Sequence, residues 1–246
     1  MAWLRRILAA VRRLVDECRR DESLALILVT LVLVTRQALA AGPGERWLQP
    51  FWAWLGGLVP FFRHQQLQGQ AVAVALQTVL PLAATRLLHR RSLREVGLGL
   101  GDHRFWLPIA GLVLAIQVVV VVSWLSRDPT YAARYPSFEP ARQGGLLLLA
   151  WEASRAVYMF SWEFMFRGYL LLLLERRLGL LSCVVQMVPF ALMHMVSQKP
   201  ISEVYFTVGS GLVSGLFVVE CRSVWPVVLL HAVGAILLDV CLVLGR

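Results

Sequence analysis

Long apolar runs separated by short polar clusters constrain the fold of this chain more than any other feature. Hydrophobic residues make up 58% of its 246 residues, and charged residues only 16%. A soluble domain of this size would not usually carry so many runs long enough to cross a bilayer as a helix. The sequence therefore predicts an all-α polytopic membrane protein, a bundle of seven or eight transmembrane helices.

The net charge of +9 does not indicate a nucleic-acid-binding protein. The basic residues lie in short clusters between the apolar runs, which is typical of topology signals in membrane proteins. The arginines near the N-terminus place that terminus in the cytoplasm, and the arginines of residues 86–104 mark a cytoplasmic loop. We therefore expect the lipid bilayer as a partner and no nucleic acid.

Composition also indicates where such a chain belongs. Arginine is abundant, Lys199 is the only lysine, and asparagine is absent. This bias suggests codons from a GC-rich bacterial genome. We therefore expect a multi-pass protein of the bacterial inner (cytoplasmic) membrane.

The chain divides into an N-terminal helix and one membrane domain. Residues 1–22 combine apolar positions at helical spacing with arginine pairs, which predicts an amphipathic basic interfacial helix on an anionic leaflet. Residues 23–245 contain no linker or repeat and form a single transmembrane domain. Arg36 lies inside its first span and needs a partner or a snorkelling route. The expected spans are 23–42, 70–86, 105–126, 146–174, 180–196, 202–220 and 225–244.

Residues 46–62 leave two alternatives open. Their three tryptophans suit the membrane interface, whereas two prolines and two glycines interrupt helical continuity. If this segment does not cross, the basic loop of residues 86–104 is cytoplasmic, as the positive-inside rule requires. If it does cross, the rule is violated at that loop. We favour the segment that does not cross.

Two ionisable residues stand out in the apolar stretch of residues 151–177. Glu163 and Arg167 are four residues apart and share a helix face. Charged groups at membrane depth are costly and usually functional. One interpretation is a structural salt bridge, and the other is that Arg167 holds Glu163 ionised and oriented. Glu152 lies about three turns away on the same face and is a candidate for lining the same cavity.

Two histidines fall at a similar depth. Glu163 lies roughly 18 Å, His194 roughly 21 Å and His231 roughly 13 Å from the ends of their predicted helices that share one side of the membrane. All three depths fall in the middle of a hydrocarbon layer about 30 Å thick. A lone intramembrane histidine is usually a helix–helix hydrogen-bond partner. Two of them at the depth of a glutamate indicate a general-base or metal site.

The local sequences carry a family resemblance. Trp-Glu-Phe-Met-Phe-Arg-Gly at residues 162–168 precedes Phe-Ala-Leu-Met-His at residues 190–194, and Ser-Val-Trp-Pro at residues 223–226 precedes His231. This order resembles the CPBP family of intramembrane proteases, the CAAX-protease and bacteriocin-processing group. The resemblance covers about residues 93–245, including Leu-Arg-Glu-Val-Gly-Leu at residues 93–98.

The resemblance implies a glutamate-type intramembrane endopeptidase. In that scheme Glu163 and His194 activate a water molecule, His231 stabilises the oxyanion, and Arg167 belongs to the same catalytic set. The substrate is a protein or peptide with a membrane-associated tail. A buried carboxylate suits the role of base, and donors in a dry site stabilise an oxyanion strongly.

Two departures from the family pattern keep an alternative open. The family has two adjacent glutamates, and Trp162 occupies the first of these positions, which is usually assigned as the base. Ala235 occupies a position that commonly carries asparagine. Either Glu163 does the work of the base, which we favour, or the chain is a non-catalytic binding, chaperone-like or immunity protein on the same fold. Asp239 is a candidate compensating acid or a polar residue near a helix end.

Two further functions are less well supported. No HExxH motif is present and we expect no cofactor, although Glu163, His194 and His231 are a possible zinc-ligand set, since zinc accepts two histidines and a glutamate. A small transporter using Glu163 and Arg167 as a relay would predict inverted repeats, and the sequence shows none.

Overall fold

The computed structural model describes residues 2–18, 20–40, 43–197 and 199–245. Within these ranges every regular element is a helix, which confirms the all-α fold. Six of the segments are long and apolar enough to cross a membrane, which confirms a polytopic protein. Residues 1 and 19 of the predicted interfacial helix, and residues 41 and 42 at the end of the first predicted span, lie outside the described ranges.

The helices follow one another along the chain with short connections. They are α1 (Ala2–Cys18), α2 (Asp21–Ala40), α3 (Pro43–Leu58), α4 (Gln65–Val74), α5 (Leu80–Leu87), α6 (His103–Ser123), α7 (Pro129–Arg134), α8 (Gly145–Glu163), α9 (Leu171–Leu178), α10 (Leu181–Val196), α11 (Ile201–Cys221) and α12 (Trp225–Leu244). π-helical turns at Ala75–Val79 and Phe164–Leu170 join α4 to α5 and α8 to α9.

The membrane-length segments agree with the expected spans. They are Asp21–Leu39, Gln65–Leu87, His103–Arg127, Gly145–Leu178, Ile201–Cys221 and Trp225–Leu244. The remaining predicted span is α10, an apolar helix of 16 residues. At 1.5 Å per residue it is roughly 24 Å long, which is short for a crossing. A total of seven crossings therefore stays a prediction.

Helix α1 exposes both apolar and basic side chains. Ile7, Leu8 and Val11 are about half exposed, at 50%, 53% and 49%. Arg12 and Arg13 are exposed as well. A helix with exposed apolar and arginine faces is typical of an interfacial helix. Its location on an anionic leaflet stays a prediction.

One end of the bundle is formed by the loop of residues 88–102 and the turn of residues 222–224, and we call it the inner end. The Val224 N–H donates a hydrogen bond to the carbonyl oxygen of Gly97 at 2.9 Å. Glu175, near the end of α9, pairs with Arg222 at 2.8 Å. The basic loop that we expect in the cytoplasm therefore shares its end of the bundle with the last turns of α9 and α11.

The opposite end of the bundle, which we call the outer end, joins the loop of residues 128–144 to the start of α11. The Tyr135 hydroxyl donates to Glu203 Oε2 at 2.7 Å. Lys199 pairs with the other oxygen of Glu203 at 3.1 Å and also contacts the Tyr135 hydroxyl. Burial lowers the pKa of Lys199, and the nearby Glu203 carboxylate opposes this shift.

Helix α3 has both of its ends at the outer end. Helix α2 starts at the inner end, where Asp21 pairs with Arg91 at 2.9 Å, and its 20 residues reach the opposite end. Shortly after α3, the His64 ring lies against Phe138 of the outer loop, with centroids 4.9 Å apart. This is the arrangement expected if residues 46–62 do not cross the membrane.

Arg36 finds partners inside the bundle. Its Nη2 atom donates to the Tyr158 hydroxyl at 2.8 Å, and its guanidinium lies 5.2 Å from the centroid of the Trp162 ring. A hydroxyl and an aromatic face both stabilise a guanidinium in an apolar setting. The predicted need of Arg36 for a partner is therefore met by α8.

Gly101 allows the inner end to close. Its φ is +55°, and a Cβ atom there would lie 1.9 Å from the carbonyl oxygen of Cys221. That carbonyl accepts a hydrogen bond from the Asp102 N–H at 2.8 Å. We expect Gly101→Ala to lower the free energy of unfolding by about 1–3 kcal/mol. An alanine would be strained at this positive φ, and the hydrogen bond between Asp102 and Cys221 would have to shift. Thermal unfolding in detergent measures this loss.

The matched control for this prediction is Gly111→Ala. An added Cβ there meets no atom within 4 Å. Because alanine favours a helix over glycine, this control should leave stability unchanged or raise it by up to about 1 kcal/mol. Equal losses in both variants would contradict the close approach at Gly101.

The position of α3 can be tested by labelling single cysteines in a variant that lacks the four native ones. Arg63→Cys and Thr130→Cys should react with an impermeant thiol reagent from the same side of the membrane. Arg94→Cys should react only from the opposite side, because it lies in the inner loop. Reaction of Arg63→Cys from the side of Arg94→Cys would show that residues 46–62 cross.

Candidate functional site

The rod formed by α8, its π-helical turn and α9 is the central element of the bundle. In its most apolar window 78% of the residues are buried, against 39% or less in the other long segments. Residues 161–174 are buried without interruption. Helices α2, α10 and α11 pack around this part of the rod. Side chains placed here are therefore shielded on all faces.

The π-helical turn Phe164–Leu170 starts directly after Glu163 and carries Arg167. Such turns widen a helix by one residue and frequently occur at functional sites. Gly168 lies in this turn, and a Cβ atom there would lie 2.6 Å from the carbonyl oxygen of Val96. The glycine lets the inner loop reach the rod beside the charged residues.

The carboxylate of Glu163 is shared between two partners. Arg167 Nη1 donates to its Oε2 at 2.6 Å. His231 Nδ1, from α12, is 2.6 Å from its Oε1. An ionised carboxylate only accepts hydrogen bonds, so His231 Nδ1 carries the proton in this pair. The structure thus brings three of the four predicted site residues into direct contact.

The two members of this group that the rod supplies are deeply buried, whereas the member supplied by α12 is more exposed to solvent. The side chains of Glu163 and Arg167 are 3% and 2% exposed, whereas that of His231 is 30% exposed. A buried carboxylate loses hydration, and the adjacent guanidinium compensates that loss. The Arg167 guanidinium carbon also lies 4.0 Å from the centroid of the Phe190 ring. The site therefore has a closed, charged interior and an accessible imidazole at its edge.

His194 lies beside this group, but no hydrogen bond among the described residues joins it to Glu163, Arg167 or His231. Its Nδ1 atom is 2.9 Å from the carbonyl oxygen of Phe190, one turn earlier on α10. Because a carbonyl can only accept, neutral His194 carries its proton on Nδ1 and has a lone pair on Nε2. Its side chain is partly exposed. Of the two histidines predicted at a common depth, His231 therefore contacts Glu163 directly and His194 does not.

The Phe190 ring lies between the two histidines, and the Trp162 ring lies beside His194. The Phe190 ring lies 4.8 Å from the His194 ring and 6.5 Å from the His231 ring, measured between centroids. Trp162 lies 6.1 Å from the His194 ring on the same measure. The residue at the first family position thus forms an apolar wall beside Glu163. Sequence reasoning missed Phe190, although its position four residues before His194 places it on the same helix face.

Glu152 and Asp239 belong to a second buried group and not to the Glu163 site. Asp239 pairs with Arg155 and accepts a hydrogen bond from the indole N–H of Trp151 at 3.0 Å. Glu152 lies close enough to interact electrostatically with both Asp239 and Arg155. The suggestions that Glu152 lines the cavity of Glu163, and that Asp239 compensates there as an acid, are not supported by these contacts.

The donor set does not fit a metal ion. Within the described ranges, no group of three His, Cys, Asp or Glu side chains is arranged to hold one. The possible zinc-ligand set of Glu163, His194 and His231 is therefore not assembled.

Comparison with known proteins bears on the same part of the chain. Residues 146–237 match a family model described as type II CAAX prenyl endopeptidase Rce1-like. We refer to this matched segment as the Rce1-like domain. No curated protein sequence and no solved structure matches the chain.

The Rce1-like domain extends from the start of α8 into the second half of α12. It includes Glu163, Arg167, His194 and His231, and it confirms the family resemblance that the sequence motifs indicated. Similarity of this segment to the family supports a peptidase embedded in a membrane, with a protein or peptide as substrate. The matched segment stops before Asp239, and it excludes α2, which supplies Arg36.

The pairing within the Rce1-like domain makes a prediction about stability. Arg167→Met leaves a buried carboxylate without its counter-charge, and we expect a loss of about 3–5 kcal/mol in the free energy of unfolding. Adding Glu163→Gln removes the stranded charge, so the double variant should recover a large part of that loss. Unfolding of the purified protein in mixed micelles measures both effects. Additive losses from the two substitutions would contradict the ion pair.

Proposed function

We propose that this protein is a glutamate-type intramembrane endopeptidase that hydrolyses a peptide bond in a membrane-proximal protein tail or peptide. The observation that carries the proposal is the buried carboxylate of Glu163, held between Arg167 and His231. We place the enzyme in a bacterial inner membrane because of its arginine-rich, asparagine-free composition. The distribution of its arginines places the N-terminus in the cytoplasm.

Glu163 and His194 activate the water molecule in this proposal. Each carboxylate oxygen of Glu163 keeps a second lone pair beside the one used by Arg167 or His231. His194 offers the lone pair of Nε2, because its Nδ1 proton is committed to the backbone of Phe190. A carboxylate base and a second acceptor can together orient water and receive its proton.

His231 stabilises the oxyanion. Its Nδ1 proton is directed at Glu163, so a second proton on the ring would reside on Nε2. A proton on Nε2 can be donated as a hydrogen bond to the developing negative charge. The partial exposure of His231 supports access of a substrate carbonyl to that atom.

The proposed reaction balances in atoms and charge. The water oxygen bonds to the carbonyl carbon as its proton passes to the Glu163 and His194 pair, and the carbonyl electrons move onto the oxygen facing His231. When the tetrahedral species collapses, the carbon–nitrogen bond breaks and the stored proton passes to the departing amine. Arg167 preserves the charge and position of Glu163 throughout.

A second function is favoured by one specific observation. The Trp162 ring packs against the Phe166 ring with centroids 5.2 Å apart. An aromatic side chain therefore occupies the position at which the family has the first of its two adjacent glutamates. A non-catalytic binding, chaperone-like or immunity protein would tolerate this change without loss. The two functions differ in whether Glu163 is needed for peptide-bond cleavage.

The deciding experiment measures cleavage of tagged, membrane-anchored candidate proteins by intact mass. We expect a truncated product with the wild-type protein. Glu163→Gln, His194→Ala and His231→Ala should each lower the rate by about 100-fold or more, because general acid–base groups contribute on that scale.

His103→Ala is the matched control, because His103 is an exposed histidine at the start of α6. It should cleave at the wild-type rate. Cleavage that survives Glu163→Gln in a folded variant would overturn the assignment of the base. Binding of a candidate without cleavage, equal in wild type and in Glu163→Gln, would favour the non-catalytic function.

A further inference from the structure

The second buried ionic group lies between the same two helices as the candidate catalytic pair. Helix α8 runs from the outer end towards the inner end, and α12 runs in the opposite direction, so the two are antiparallel neighbours. Glu163 and His231 form one link between them. Arg155 and Asp239 form another, as a salt bridge.

The two links have the same spacing on both helices. Arg155 lies eight residues before Glu163 on α8, and Asp239 lies eight residues after His231 on α12. Eight residues correspond to roughly 12 Å of helix, and positions seven or eight apart lie on one face. Equal offsets in an antiparallel pair mean that both links can form in only one register of the two helices.

The two links differ in how well they are buried. The side chains of Arg155 and Asp239 are 6% and 0% exposed, whereas that of His231 is 30% exposed. The carboxylate of Asp239 is further fixed by the indole N–H of Trp151, which donates to Oδ2 at 3.0 Å. Arg155 and Asp239 therefore form the more rigid link, and Glu163 and His231 form the more exposed one.

We infer that the Arg155–Asp239 ion pair is a positioning pair, which sets the register of α12 against α8 so that His231 meets Glu163. A buried ion pair contributes little net stability compared with apolar residues of the same size. Its best-attested role is to select one helix register over others. Neither residue touches the reacting atoms, and both act through His231. The inference rests on the proposed function only for its kinetic test.

The central variant is Arg155→Met combined with Asp239→Asn. It removes both charges, and the asparagine retains an acceptor for Trp151. The first readout needs no substrate: it is the ring N–H proton resonance of His231 in protein with isotopically labelled histidine, in detergent micelles. An imidazole N–H that donates to a carboxylate resonates far downfield, and His231→Ala assigns the signal.

We expect the double variant to fold and to lose this downfield signal. In the cleavage assay kcat should fall by about 100-fold, as expected for a small displacement of a reacting group, while KM changes by less than about threefold. Arg155→Lys, which keeps the charge, should restore part of both readouts. A folded double variant with the wild-type signal and kcat would overturn the inference.

Two further variants keep the test decisive. Asp239→Glu keeps the charge and lengthens the side chain by one methylene, so it should shift the His231 signal even if the double variant does not fold. An unshifted signal would overturn the inference. Glu175→Gln, which breaks a salt bridge of the same rod at the inner end, should leave the signal and kcat unchanged. If the wild-type protein cleaves nothing, the proposed function fails, and the His231 signal still decides the register.

Discussion

The buried carboxylate of Glu163 is the interaction on which the rest of the structure depends. A charge removed from water must be compensated nearby, and Arg167 and His231 do this from two different helices. Their contact requires α8 to lie in the centre, α12 to lie against it in one register, and the inner loop to approach closely at Gly168. The contacts of Glu163 therefore depend directly on how the helices are arranged.

The sequence predicted the contact between Glu163 and Arg167, because four residues along a helix return a side chain to the same face. It also placed His231 at the correct depth. Depth along a helix does not determine which way a side chain points around it. This is why the backbone bond of His194, and the Phe190 ring between the histidines, could not be predicted. The pairing of Asp239 with Arg155 was missed for the same reason.

The long helices were predictable because a bilayer sets a minimum length and a composition for them. Residues 46–62 were ambiguous because aromatic, partly broken helices occur both at the interface and in crossings. The contacts of Phe61 and His64 with Phe138 show at which end of the bundle this segment returns. Local backbone geometry is harder to predict still. Nothing in the residues of Phe164–Leu170 distinguishes a π-helical turn from an α-helical one.

This π-helical turn sets the rotation of α9 relative to α8. A π-helical turn holds one residue more than an α-helical turn, and one residue corresponds to a rotation of about 100° in an α-helix. Return of Phe164–Leu170 to α-helical geometry would rotate α9 against α8 by an angle of that order. Rotation of α9 would therefore displace the turn that carries Arg167.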